Sequence, residues 1–380
     1  MLSRLTINTT EVCNLDCVYC YADGGSYGGQ SGRIDPLLAV KRLDDVVSLH
    51  DTINMVQFIG GEPLLNIDAI ASVSEAVEEY VASGRLVDRP SLNAVTNLFA
   101  LNEQHLVLLK RHDISLTVSL DGPRKIHNQN RPQKNGKGSF DKINTNLERL
   151  REWKIPYSFE ATYTRQHLDH DLSIPGLLVY LEKWQPTRID ITPAATTSGS
   201  ICGDFNQDEW QIITSGILEA LNHGIDHLAK GLPVKYGFFH ELLGMIVSGG
   251  TEADRFCPAG ESNLAISANG ECFACHMLTN NRKYQLALPL HNQVKASSQG
   301  NELSTCKSAP LSAIPMKSAH KACWECWANP WCKSCIGNME IINPCKSGPV
   351  SRYCELMRAA LALMLEHLPL ALDRLMMESG

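Results

Sequence analysis

Residues 1 to about 195 predict an α/β fold, a parallel sheet closing as a partial (β/α)6 barrel, and the remainder predicts a cysteine-rich module followed by a helix. Two observations carry this reading. Short β-rich runs alternate with segments of helical apolar spacing, the pattern of strand–helix units with a parallel sheet. Ten of the 14 cysteines fall between 257 and 354, where periodicity fades and Gly, Pro, Asn and Lys dominate. The strand count alone leaves a doubly wound open sheet as the alternative.

The strands are expected at Arg4 to Asn8, Met55 to Ile59, Ser91 to Thr96, Ile114 to Leu120, Ser158 to Tyr163 and Arg188 to Thr192. Between them, segments 35–50, 66–83, 101–112, 138–153 and 168–183 space their apolar residues as helices do. Residues 207–248 read as two helices that connect the barrel to the cysteine-rich module. The expected division is a barrel core over 1–200, a helical connector over 201–251, a cysteine module over 252–354 and an amphipathic helix over 355–380. The cysteine module has too little apolar material for a core and is expected to need metal to fold. The final helix has an apolar stripe suited to covering an edge of the barrel module.

A net charge of −7 without a basic run argues against nucleic acid as partner. The start turns polar within ten residues and lacks an apolar signal core, so a cytoplasmic location is expected. Leu356 to Met377 is apolar, but Arg358, Glu366, His367, Asp373 and Arg374 interrupt it, and no membrane association is expected. Cysteines in such a chain point to metal ligation rather than disulfides.

Cys13, Cys17 and Cys20 follow the first strand directly, at the carboxyl end where α/β sheets and barrels bind ligands. Three thiolates hold three irons of a 4Fe-4S cluster and leave the fourth iron open. A zinc knuckle would need a fourth ligand, which is not found nearby. The Cys-x3-Cys-x2-Cys spacing, with Tyr19 before its last cysteine, resembles the radical S-adenosylmethionine (radical SAM) superfamily, whose TIM-like barrel the strand count matches. The resemblance implies that Tyr19 contacts the adenine and that the open iron chelates the methionine moiety.

Two further motifs extend the resemblance. Gly60-Gly61-Glu62-Pro63 follows the second strand, where the superfamily places the turn that grips the methionine amino group. Ser119-Leu-Asp-Gly and His127 to Arg131 resemble a signature of peptide- and protein-modifying members, with Asn128 replacing the usual aspartate. By that resemblance Ser119 and Arg131 help hold the SAM carboxylate and ribose. Read structurally, Asp121 and Gly122 make a turn and His127 braces it.

Cys257, Gly270 with Cys275, Cys323-x2-Cys326-x5-Cys332-x2-Cys335 and Cys354 resemble the SPASM domain, departing from it in a two-residue gap before Cys335 where three is usual. The resemblance implies two auxiliary 4Fe-4S clusters. One would be held by Cys257, Cys272, Cys275 and Cys335, the other by Cys323, Cys326, Cys332 and Cys354. Cys202, Cys306 and Cys345 are then left over, with Cys345 able to exchange roles with Cys354. A pair of structural zinc sites is the competing reading of these thiols.

The resemblance implies three 4Fe-4S clusters and SAM as cofactors, and a ribosomally made precursor peptide as substrate. Cys20 to Gly29 resembles maturases of peptides with Nif11-type leaders, a group that includes spliceases. The best expectation is therefore excision of a tyramine equivalent at a Tyr-Gly site. Thioether or carbon–carbon crosslinking, or epimerisation, is the alternative. A sulfatase-type maturase is less expected, because His276 stands where those enzymes place an aspartate. A non-enzymatic iron–sulfur electron carrier would leave the glycine turn and the barrel without a task. Twelve residues before Cys13 are too few for a leader-binding domain, so a separate small leader-binding protein is expected, with a flavodoxin or ferredoxin as electron donor.

Overall fold

The computed structural model describes residues 1–29, 32–196, 202–250, 254–288, 314–342 and 350–379. In chain order these form β1 (Arg4–Thr10), α1 (Pro36–Val47), β2 (Met55–Gly60), α2 (Ile67–Ala82), β3 (Ser91–Thr96), α3 (Glu103–Arg111), β4 (Ile114–Ser119), α4 (Arg124–Asn130), α5 (Phe140–Glu152), β5 (Tyr157–Tyr163), α6 (Arg165–Asp169), α7 (Ile174–Glu182) and β6 (Ile189–Pro193). After these come α8 (Gln207–Ala229), α9 (Gly237–Val247), β7 (Asn263–Ile266), β8 (Cys272–Phe273), β9 (Gln285–Leu286), α10 (Lys321–Trp324), α11 (Ile336–Ile342) and α12 (Ser351–Ser379). All six expected barrel strands are present.

The chain falls into two compact units. The first comprises Met1–Val118, Gln133–Pro156 and Pro258–Ile314. Here β1, β2, β3 and β4 lie side by side and parallel, each separated from the next in sequence by a helix. Every residue of β1 after Arg4 is buried, as a strand covered on both faces requires. Register between β1 and β2 slips between Asn8 and Thr10, so that Thr10 faces Gly60 where both strands end. Local chemistry sets the helix starts. Asp35 caps α1 by accepting from the Leu37 and Leu38 N–H groups at 2.9 and 3.1 Å, and Pro36 supplies the first turn.

On its other edge β1 takes β7 in parallel, and β8 and β9 add antiparallel. This corrects the expectation that the cysteine module lacks a core. Ala265, Ile266, Phe273, Ala274 and Tyr284 are all buried. Strands of two to four residues are too short to display a period, which is why the sequence pattern missed them.

The second unit comprises Ser119–Pro132, Tyr157–Cys257 and Pro315–Gly380. In it β5 and β6 pair in parallel, and α12 packs along α8. The final helix was expected from 355 against the barrel module. It begins at Ser351 instead, so that Cys354 sits in its first turn, and its apolar stripe meets the connector helix. Trp210 of α8 anchors this contact, its ring 5.0 Å from that of Tyr353. No helix among the described residues is long and apolar enough to cross a membrane.

Candidate functional site

The three-cysteine loop leaves β1 at Thr10, whose hydroxyl accepts the Val12 N–H at 3.1 Å and starts the turn. Cys13 and Cys17 are half-buried and Cys20 is exposed. The Cys20 N–H donates to the Cys17 carbonyl at 3.1 Å, closing the turn that carries half-buried Tyr19. Cys13 Sγ accepts the Leu15 N–H at 3.5 Å and Asn97 Nδ2 at 3.6 Å. Burial pushes the Cys13 thiol up to about 11, and the charges of Glu62 and Cys20 push the same way against the Leu15 bond. That Cys20 is felt at Cys13 places both thiols on one patch.

The glycine turn is locked onto that loop. Gly61 N donates to the Thr10 carbonyl at 2.7 Å, and Glu62 N donates to the Val12 carbonyl at 3.0 Å. A Cβ on Gly61 would stand 2.8 Å from the Cys13 nitrogen, and one on Gly25 would stand 2.5 Å from the Gly61 Cα. These glycines therefore admit protein backbone, stacking Cys13, Gly61 and Gly25 in three layers. Glu62 is wholly buried and spends its carboxylate on the protein: Oε1 accepts the Thr96 hydroxyl at 2.6 Å and the Leu64 N–H at 3.1 Å, and Oε2 accepts the Asn97 N–H at 2.8 Å. Burial pushes Glu62 up to about 7 against those three bonds. Pro63 opens the short turn to Asn66.

Whether this end of the sheet suits SAM is tested by what its polar groups lack. Asn8, 1% exposed beside Gly60, has no partner for either amide atom among the described residues. A buried amide so placed is the mark of a site shaped for a polar ligand. Together with three thiols on one loop, the residues fit a thiolate-held cluster with SAM beside it.

Ser119 and Arg131 belong to the second unit. Ser119 ends β4 half-buried. Arg131 Nε lies 3.1 Å from Asp121 Oδ2, both side chains buried, and Asp121 Oδ1 accepts the Thr162 N–H at 3.0 Å. His127 Nδ1 accepts the Asp121 N–H at 3.3 Å, and the Asp121 carbonyl accepts His167 Nε2–H at 2.7 Å. Burial lowers His127 to about 4, so the ring is neutral. Gly122, at φ +115°, turns the chain where a Cβ would meet Leu177. This signature thus builds an interior ion pair braced by two imidazoles.

Cys323, Cys326, Cys332 and Cys354 line one cavity of about 210 Å³. Each of the other three is felt electrostatically at Cys323, whose thiol burial pushes up to about 11. Lys317 and Arg358 complete the wall. Among the described residues no group of three or more His, Cys, Asp or Glu is placed to hold a metal ion.

The other expected ligands divide two and two. Cys272, on β8, and Cys275, its thiol 3.8 Å from His276 Nδ1, lie in the first unit. Cys257 and Cys335 lie in the second, Cys335 on the wall of a separate cavity of about 190 Å³. Cys202 is buried in the second unit, and Cys306 and Cys345 lie outside the described residues.

Sequence reasoning missed Thr96, Asn97, Asn280 and Lys317. Thr96 ends the third strand and Asn97 follows it, at the carboxyl end where a barrel's binding groups are expected. Asn280 is the link from the second cysteine region: its Nδ2 donates to the Ser26 carbonyl at 3.2 Å and to Glu11 Oε1 at 3.4 Å, both on the segment around the first cysteines. Nothing in a single sequence marks Asn280 or Lys317.

Residues 7–172 match the Radical SAM superfamily. A cysteine-type anaerobic sulfatase-maturating enzyme of Clostridium novyi is 30% identical over 179 residues, covering 44% of this chain and 46% of that protein. The radical SAM cyclopropyl synthase TigE of Paramaledivibacter caminithermalis is 23% identical over 290 residues, 72% of this chain and 57% of its own. The chain thus spans about half the length of these relatives. Among solved structures, anSMEcpe with bound AdoMet superposes with a TM-score of 0.77 at 17% identity, covering 97% of this chain and 99% of that one. Streptococcus suis SuiB bound to precursor peptide SuiA gives 0.55 at 14% identity, covering 88% and 75%. The fold is the one seen in these two structures.

Proposed function

We propose that this radical SAM superfamily enzyme modifies a ribosomally made precursor peptide, using SAM and three 4Fe-4S clusters. When bound, the first cluster and SAM supply a 5′-deoxyadenosyl radical that abstracts an unactivated hydrogen. The observation that carries the reading is the pairing, in one chain, of a three-thiol loop stacked on Gly61 with a separate cavity lined by four thiols. In this reading residues 1–200 are the barrel core, 201–251 a connector, 252–354 the SPASM module and 355–380 the end of the last helix.

The chain's own residues divide the work. Cys13, Cys17 and Cys20 hold the first cluster, Leu15 N–H and Asn97 support the Cys13 sulfur, and Glu62 fixes the glycine turn to the end of β3. Tyr19, Gly60, Gly61, Glu62, Pro63, Ser119 and Arg131 are the proposed SAM-binding residues. Arg131 also pairs with Asp121. Cys257, Cys272, Cys275 and Cys335 hold one auxiliary cluster, and the four-thiol cavity holds the other.

The finer proposal is a splicease, served by a small leader-binding protein and a flavodoxin- or ferredoxin-type donor. What supports it is the resemblance of the Cys20 to Gly29 segment to maturases of peptides with Nif11-type leaders. A second reading has support from the sulfatase-maturating relatives, although His276 occupies the position after Cys275. The test is anaerobic reaction of the reconstituted enzyme with SAM, reductant and the peptide encoded beside it. Loss of a tyramine equivalent supports splicing, loss of two hydrogens supports a crosslink, and deuterium uptake at constant mass supports epimerisation. Formylglycine formation in a sulfatase-derived peptide, with the neighbouring peptide untouched, would overturn the precursor-peptide reading.

A further inference from the structure

Lys317 is 1% exposed, an unusual fate for a lysine, which is almost never fully buried without a partner. Its ammonium donates to the Asn329 carbonyl at 2.9 Å, one acceptor for a group with three donors. The side chain forms part of the wall of the cavity lined by Cys323, Cys326, Cys332 and Cys354. The charges of Cys332 and Cys323 are the strongest favourable ones it feels, ahead of Asp254, while Lys333 opposes them. Arg358 lines the same cavity and is felt at Cys332 and Cys354. With four neutral thiols the counter-charge left to this buried cation would be that of Asp254, opposed by Lys333. Four thiolates on a cluster supply a further one.

We propose that Lys317 is the buried counter-ion of the cluster held by Cys323, Cys326, Cys332 and Cys354, and that it holds that cluster's reduction potential up. The inference rests on the reading of those four cysteines as cluster ligands. Reduction adds one electron to a group already negative through its thiolates, so a fixed cation at the wall favours the reduced form. Net charge and solvent exposure are among the levers that set such potentials. Lys317 touches no substrate in this account and acts through the cluster as a positioned charge. A raised potential suits an acceptor that takes the electron left on the product.

The test is an EPR-monitored redox titration, with dithionite, of the reconstituted holoenzyme and of Lys317→Met, Lys317→Gln and Lys317→Arg, each with its iron counted. Gln keeps a donor towards the Asn329 carbonyl, and Met keeps the stem. The expected result is that one cluster signal moves to lower potential in both neutral variants and stays in place in Arg, with iron content and the other signals unchanged. Loss of about four irons from the neutral variants but not from Arg would equally support a counter-ion. Unchanged potentials at full iron, or loss of the cluster in Arg as well, would overturn the inference. A wild-type protein with about eight irons would instead reject the cluster beneath it, and a zinc count would say what replaced it.

Discussion

The Glu62 carboxylate accepts the Thr96 hydroxyl at 2.6 Å, a bond between two buried side chains that ties the glycine turn to the end of β3. Its neighbour Asn97 completes the tie, giving its N–H to Glu62 and its side-chain amide to Cys13 Sγ. The turn, the strand end and the first cysteine therefore move as one piece.

Replacing Glu62 with Gln should break that piece. In either amide orientation one NH2 faces a buried N–H, that of Leu64 or that of Asn97. Leaving such a group unsatisfied costs about 1–3 kcal/mol. Denaturant unfolding of Glu62→Gln should show a loss in that range, and SAM cleavage should fall about tenfold or more.

Gly61→Ala should act on iron rather than on stability alone. The added Cβ would stand 2.8 Å from the Cys13 nitrogen, so the cysteine loop must shift. The variant should lose about four irons, the share of one cluster, while a Gly244→Ala control, with open space at its Cβ, keeps all of them.

The second cysteine region should split in two under stress. Cys323→Ser with Cys326→Ser should lose about a third of the iron and become open to protease within residues 314–342. Residues 263–286 should stay protected, because β7 is paired with β1 along its backbone. Full protection of 314–342 in that variant would mean that this segment has a metal-independent core.

His127 sets a pH window. Its ring is held neutral, with a folded pKa lowered to about 4 from 6.5 by burial. Between those values the unfolded chain binds more protons than the folded one, so stability rises with pH through the window and is lost as pH falls through it. The contribution is on the order of 3 kcal/mol. Unfolding measured from pH 7 to pH 4 should lose that amount, and His127→Asn, already destabilised at pH 7, should show a flatter profile.

Much of this was legible in the residues alone. The six barrel strands follow from alternation of β-rich and helical runs, and Cys13 to Cys20 fall at the end of β1 because the strand stops at Thr10. The illegible parts have physical reasons. β7, β8 and β9 run for four, two and two residues and carry no period. Glu62 and Arg131 belong to motifs that announce a ligand, and the protein partners they also hold are revealed only by the spatial neighbours Thr96 and Asp121. Lys317 is one lysine in a polar stretch until the cavity shows what it faces.

The central claim is that Cys13, Cys17 and Cys20 hold a cluster that cleaves SAM. The reconstituted protein should carry about twelve irons and, with dithionite and SAM alone, release 5′-deoxyadenosine, an activity abolished when Cys13, Cys17 and Cys20 are changed together to Ala with the loss of about a third of that iron. A fully iron-loaded protein that releases no 5′-deoxyadenosine, or a chain that binds zinc in place of iron, would contradict the account.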